Sequence, residues 1–144
     1  MDGLRRAALR LGTARTTSTP EAFYALFESL AWAGAVCDRL RDEKQPLPPT
    51  LGGLWYVRNL VLHQGADVLL RITGVYGSAI VGGGVLGEKM LGSAGRPETR
   101  SRFPPIDDLP PGRSKAGRLE YMSHVQELEA NTVFARAIGK VERL

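Results

Sequence analysis

Cysteine occurs once in the 144 residues, at Cys37. A single cysteine excludes an intramolecular disulfide and a cysteine-based zinc site. Its scarcity fits a reducing compartment, so the cytoplasm is the expected location. No apolar run approaches the roughly 20 residues that a membrane-spanning helix needs, and no membrane partner is expected. Histidine is almost as scarce: His63 and His124 are the only two, so any imidazole chemistry must come from them. The first residues lack the apolar block of a secretory signal. Their Arg, Ser and Thr content resembles that of a transit peptide, but Asp2 argues against one. Lack of charge or of apolar residues is not a feature, and with ordinary values of both the chain is expected to fold rather than stay disordered.

What the chain does have is arginine and glycine. The net charge is +4, most of the positive charge being arginine. A guanidinium donates two hydrogen bonds in one plane and suits phosphate. The charge therefore permits an RNA, DNA or anionic-surface partner, and it is equally what a solvated arginine-rich surface would show. The length suits one domain with a core of its own.

Residues 1–17 read as a flexible basic leader with weak helical spacing at Leu4, Ala8 and Leu11. Residues 18–144 read as one helical domain. Ser18-Thr19-Pro20-Glu21 is a helix start, with a hydroxyl cap, a proline in the first turn and an acid at the positive end. The helix runs to about Glu43, with Phe23, Leu26, Phe27, Leu30, Ala33, Cys37 and Leu40 as its buried stripe. Gly34 lies inside it at a cost of roughly 1 kcal/mol against alanine. Pro46, Pro48 and Pro49 end it. A second helix is expected from about Thr50 to Ile72. Its apolar sector, from Leu51 through Val61 and Leu62 to Val68 and Ile72, is broad enough to require more than one neighbour, a second chain being one candidate. Residues 73–112 form a Gly/Pro-rich insertion, with a short β-hairpin or irregular excursion first and a polar surface loop over Pro97–Pro111. Helix returns at about Gly117, with a break near Asn131-Thr132. The fold class expected is all-α, a small up-down bundle of about four helices.

The second helix carries the run Arg58-Asn59-Leu60-Val61-Leu62-His63. Arg58 falls within the apolar sector, where a permanent cation is costly unless paired or used. Asn59, His63 and Asp67 follow at intervals of four and would share one helix edge. A cation, an amide, an imidazole and a carboxylate on one groove suit metal-free RNA cleavage. A neutral imidazole can take the proton of a ribose 2′-hydroxyl. A guanidinium can hold the scissile phosphate and the extra charge of the transition state. Asp67 would fix the imidazole tautomer. Arg96, Arg100, Arg102 and Arg113 could guide RNA through their charge.

This motif resembles that of HEPN domains, in which an arginine, a polar residue, three further residues and a histidine lie on a helix of a small helical domain. The resemblance covers the motif and its helical context and leaves out the leader and the insertion. It implies a metal-independent endoribonuclease of the toxin–antitoxin or antiviral-defence kind, without cofactor. It further implies a homodimer in which two motifs face each other, with Arg58, Asn59 and His63 as the catalytic set and an antitoxin protein as a further partner. Some HEPN toxins carry a modifiable tyrosine two positions after the histidine. Gly65 stands there in this chain, which speaks against that form of control.

Other readings stay open beside this one. Arg58 could form a structural ion pair with Glu28 or Asp38. His124 reads as a surface residue, and a zinc site built from His63 and His124 has no spacing signature, so no metal is expected. Gly82–Lys89 lacks the Lys-Ser/Thr pair of a phosphate loop. Trp55 and Tyr56 offer faces on which bases could stack, and Trp32 does too, although packing is the commoner use. The alternative function is a non-catalytic helical dimer that binds RNA or a protein partner. A structural helper without a nucleic-acid role stands third.

Overall fold

The computed structural model describes residues 1–14, 20–65, 67–73 and 101–144. Six α-helices carry them: α1 (Asp2–Thr13), α2 (Pro20–Asp42), α3 (Pro49–Gln64), α4 (Asp67–Thr73), α5 (Lys115–His124) and α6 (Ala130–Val141). A 3₁₀ turn spans Ile106–Asp108. Among the described residues there is no strand, only an isolated antiparallel bridge between Arg102 and Glu129. The chain is an all-α bundle. No described helix is long and apolar enough to cross a membrane.

The first residues are not a flexible leader. Leu4, Ala7 and Leu11 lie one turn apart and are buried. They dock α1 against α2 and α6. Asp2 and Arg10 suit the positive and negative ends of this helix. The basic side chains do local work: Arg10 hydrogen-bonds both carboxylate oxygens of Glu28, and Arg5 reaches Glu142 beyond α6. Gly3 lets the ring of Trp32 lie against α1, because a Cβ there would overlap the indole.

The start of α2 at Pro20 and its end before the proline-rich turn agree with the sequence reading, while Ser18 and Thr19 lie outside the described residues. Leu26, Leu30, Ala33, Cys37 and Leu40 are buried as expected, but Phe27 is exposed. Burial pushes the Cys37 thiol up to about 12, so it stays protonated. It donates weakly to the Leu51 carbonyl of α3.

The expected second helix is two helices. Gly65 adopts φ +86° and ends α3, and α4 starts afresh at Asp67. The left-handed backbone suits a residue without a Cβ. The breadth of the apolar sector has its neighbours within the same chain, since α3 packs on both α2 and α5. Gly52 and Gly53 allow α5 to come close: a Cβ on Gly53 would sit 2.6 Å from Val125 and 3.1 Å from the Tyr121 backbone. Leu62 does not join the core and stays half exposed.

Glu120 of α5 lies over Gly52, where a Cβ would overlap its carboxylate. Burial raises the Glu120 carboxyl above its usual range, against smaller opposing effects of His124 and Arg41. Between the ordinary and the raised value the unfolded chain loses its proton first, so folding stability falls as pH rises through that window. Glu120→Gln is expected to flatten this slope and to melt above wild type at neutral pH. Thermal melts of both proteins from acid to neutral pH test this, and parallel curves would refute it.

The expected hairpin lies outside the described residues. The described part of the expected loop, residues 101–111, is not a wholly surface segment: Phe103, Ile106 and Leu109 are buried. Its backbone is tied to both sides. Arg102 N–H donates to Ile72, Phe103 exchanges hydrogen bonds with Leu128 and Glu127, and Ala130 N–H donates to Ser101. The break between the last helices falls earlier than expected, over 125–129, where Glu127 takes φ 61°.

Candidate functional site

The C-terminal part of α3, from Trp55 to Gln64, forms one wall of a surface hollow of about 580 Å³. Trp55, Tyr56, Asn59 and His63 line that wall, and Arg113 and Ser114 line the other. The two walls are fastened together. Gln64 Nε2 donates to the Pro111 carbonyl at 2.9 Å, and Gly112 N–H donates to the Tyr56 hydroxyl at 3.2 Å. Gly112 is required by this contact, because a Cβ would meet the Tyr56 ring at 2.5 Å. Ser114 caps α5 through its hydroxyl, which accepts from Gly117 N–H at 3.1 Å. Arg113 is therefore held at the rim by fixed residues on both sides.

His63 is exposed in the last turn of α3. Asn59 lies one turn before it and is half-buried. Arg58 is half-buried too, but it does not line the hollow. Its side chain runs across Gly34 of α2, where a Cβ would sit 2.8 Å from Nε, and its Nη1 donates to Asn59 Oδ1 at 3.0 Å. The expected alternative partners are engaged elsewhere, Glu28 with Arg10 and Asp38 with Arg41. Among the described residues no carboxylate pairs with Arg58.

Asp67 does not continue the edge of Asn59 and His63. The break at Gly65 puts it at the start of α4, where it lines a different hollow with Asp107 and Asp108. Among the described residues it makes no hydrogen bond to His63, so it does not hold the imidazole.

The four arginines separate. Arg113 reaches the same hollow as Asn59 and His63. Arg102 is exposed at its bridge with Glu129. Arg96 and Arg100 lie outside the described residues. His124 ends α5 on the Glu120 side. Among the described residues no group of three or more His, Cys, Asp or Glu side chains is placed to hold a metal ion.

Trp55 and Tyr56 are not free stacking platforms. Tyr56 is buried, and the Arg41 guanidinium lies 4.0 Å from the Trp55 ring centre. The sequence reading missed the segment 110–114 as the second wall. Its signal was weak: a glycine and a serine before a helix, with nothing to show which element they meet.

Among the described residues the lining holds no aspartate or glutamate. It offers a guanidinium, a carboxamide, an imidazole and hydroxyls, a set that can receive an anion and move a proton.

Comparison with family models, with curated proteins and with solved structures found no match to this chain. The resemblance to HEPN domains therefore stands on the motif and on its helix.

Proposed function

We propose that the protein is a metal-independent endoribonuclease of HEPN type, with the hollow between α3 and the 110–114 segment as its site. The observation that carries this reading is the shared lining of His63, Asn59 and Arg113, with no carboxylate among the described residues of that lining. An RNA backbone is an anion with a nucleophile beside each phosphate. One imidazole takes the 2′-hydroxyl proton. The 2′-oxygen then attacks phosphorus, the bond to the 5′-oxygen breaks, and the leaving oxygen takes a proton from an acid. The products carry a 2′,3′-cyclic phosphate and a 5′-hydroxyl. Arg113 and Asn59 supply positive charge and a hydrogen bond where the phosphate gains charge.

One chain offers one histidine to this hollow, and the reaction needs both a base and an acid. The reading therefore takes the protein as a homodimer in which a second His63 serves as the acid. Tyr24, Phe27 and Leu62, large apolar side chains left in solvent, give a second copy something to cover. A toxin or defence role, with an antitoxin protein as a further partner, follows from the same resemblance.

The test is incubation of purified protein with single-stranded RNA in EDTA, together with light scattering. Cleavage by a dimer supports the proposal. Intact RNA beside salt-sensitive binding would favour the second reading, a non-catalytic RNA-binding module, for which the arginine-lined hollow is the supporting observation.

A further inference from the structure

Arg58 is the residue whose placement departs most from what its sequence position implies. It is the motif's cation, yet it lies outside the lining of the hollow and spends a hydrogen bond on its neighbour Asn59. A guanidinium only donates. The oxygen of the Asn59 carboxamide must therefore face Arg58, and the nitrogen becomes the free end. Among the described residues Asn59 Nδ2 has no acceptor, and Asn59 lines the hollow.

From this geometry we infer that the hollow is an oxyanion site for a phosphate group, and that Arg58 is a positioning residue that holds Asn59 Nδ2 as a donor to it. Gly34 is part of the same device. It is the notch in α2 through which the Arg58 side chain passes, and this accounts for a glycine in a helix interior. The donors are then Asn59 Nδ2, the Arg113 guanidinium and, when protonated, His63. The inference rests on the proposed phosphate-facing role of the hollow, but it needs no cleavage.

The test uses the whole chain, labelled with ¹⁵N, and two probes: inorganic phosphate and a short 2′-O-methyl RNA, which cannot be cut through its 2′-oxygen. Both are expected to shift the Asn59 side-chain NH₂ signals and the backbone signals around Arg113. Competition by phosphate against the oligonucleotide would show a site for the phosphate group itself. Shifts with the oligonucleotide alone would show a site that needs the nucleic-acid backbone. No shift of the Asn59 NH₂ signals with either probe would overturn the inference, whether or not RNA is cleaved elsewhere on the protein.

Variants at three positions test the role of Arg58. Asn59→Asp replaces the donor with an acceptor and is expected to weaken oligonucleotide binding roughly tenfold or more. Arg58→Met is expected to weaken it as well, while adding Arg58→Met to Asn59→Ala should cost nothing further. Additive losses would mean that Arg58 touches the phosphate directly and would overturn the positioning role. Gly34→Ala guards against a folding artefact. Alanine favours a helix interior over glycine, and its Cβ would displace a flexible side chain rather than backbone. This variant should melt no lower than wild type and bind the oligonucleotide several-fold more weakly. Unchanged binding in Gly34→Ala would contradict the notch.

Discussion

His63→Ala is expected to slow RNA cleavage by about 100- to 10,000-fold, the range of a lost general acid or base. The fold should survive unchanged. His63 is exposed, so its removal leaves no cavity, and surface changes of this kind usually stay within about 0.5 kcal/mol of wild type. The measurement is the initial rate on an end-labelled RNA, with both proteins at matched concentration and with thermal melts as the control for folding. Equal rates for the two proteins would remove His63 from the site. A lower rate accompanied by a lower melting temperature would move the effect to stability.

Leu4→Ala is expected to destabilise the protein by about 2–5 kcal/mol, the cost of truncating a fully buried leucine in a well-packed core. Leu4 has no exposed surface and belongs to the main apolar cluster. The stabilising element of α1 is this apolar edge rather than its charges, because the Arg5–Glu142 pair is exposed and such pairs contribute little. Urea unfolding measures the loss. A change below about 0.5 kcal/mol, the level of an ordinary surface position, would mean that α1 does not belong to the cooperative unit.

The boundaries of α2 were legible because prolines mark both ends and the apolar residues recur at helical spacing between them. α1 was underread: three buried side chains in so short a helix give little periodicity, and its arginines made it look solvated. The break at Gly65 was hidden because apolar residues continue in phase on both sides, and one residue with a left-handed backbone suffices to end a helix. With that break Asp67 left the edge it was expected to share with His63. Phe103 was also out of reach. It is a lone aromatic among prolines, and its burial depends on hydrogen bonds to residues 127 and 128, which no local pattern reports.

The site divides in the same way. Asn59 and His63 were legible because a helix puts residues four apart on one edge. Arg113 was legible only as a charge, since the contacts that hold its segment come from Tyr56 and Gln64, far away in sequence. Arg58 was correctly seen as an odd cation on an apolar sector. The ion pairs left open for it with Glu28 or Asp38 do not form, since both are engaged elsewhere, and its long side chain turns to its neighbour Asn59 instead. Gly34, read as a cost to the helix, makes room for that side chain.

The most direct test of the central proposal is the chemistry of the cut ends. Purified protein is incubated in EDTA with an RNA and with its all-2′-deoxy counterpart, and the product termini are identified by mass. The proposal predicts 2′,3′-cyclic phosphate and 5′-hydroxyl ends from the RNA, an intact deoxy strand, and loss of both products in His63→Ala. Ends bearing 3′-hydroxyl and 5′-phosphate, or cutting of the deoxy strand, would contradict it.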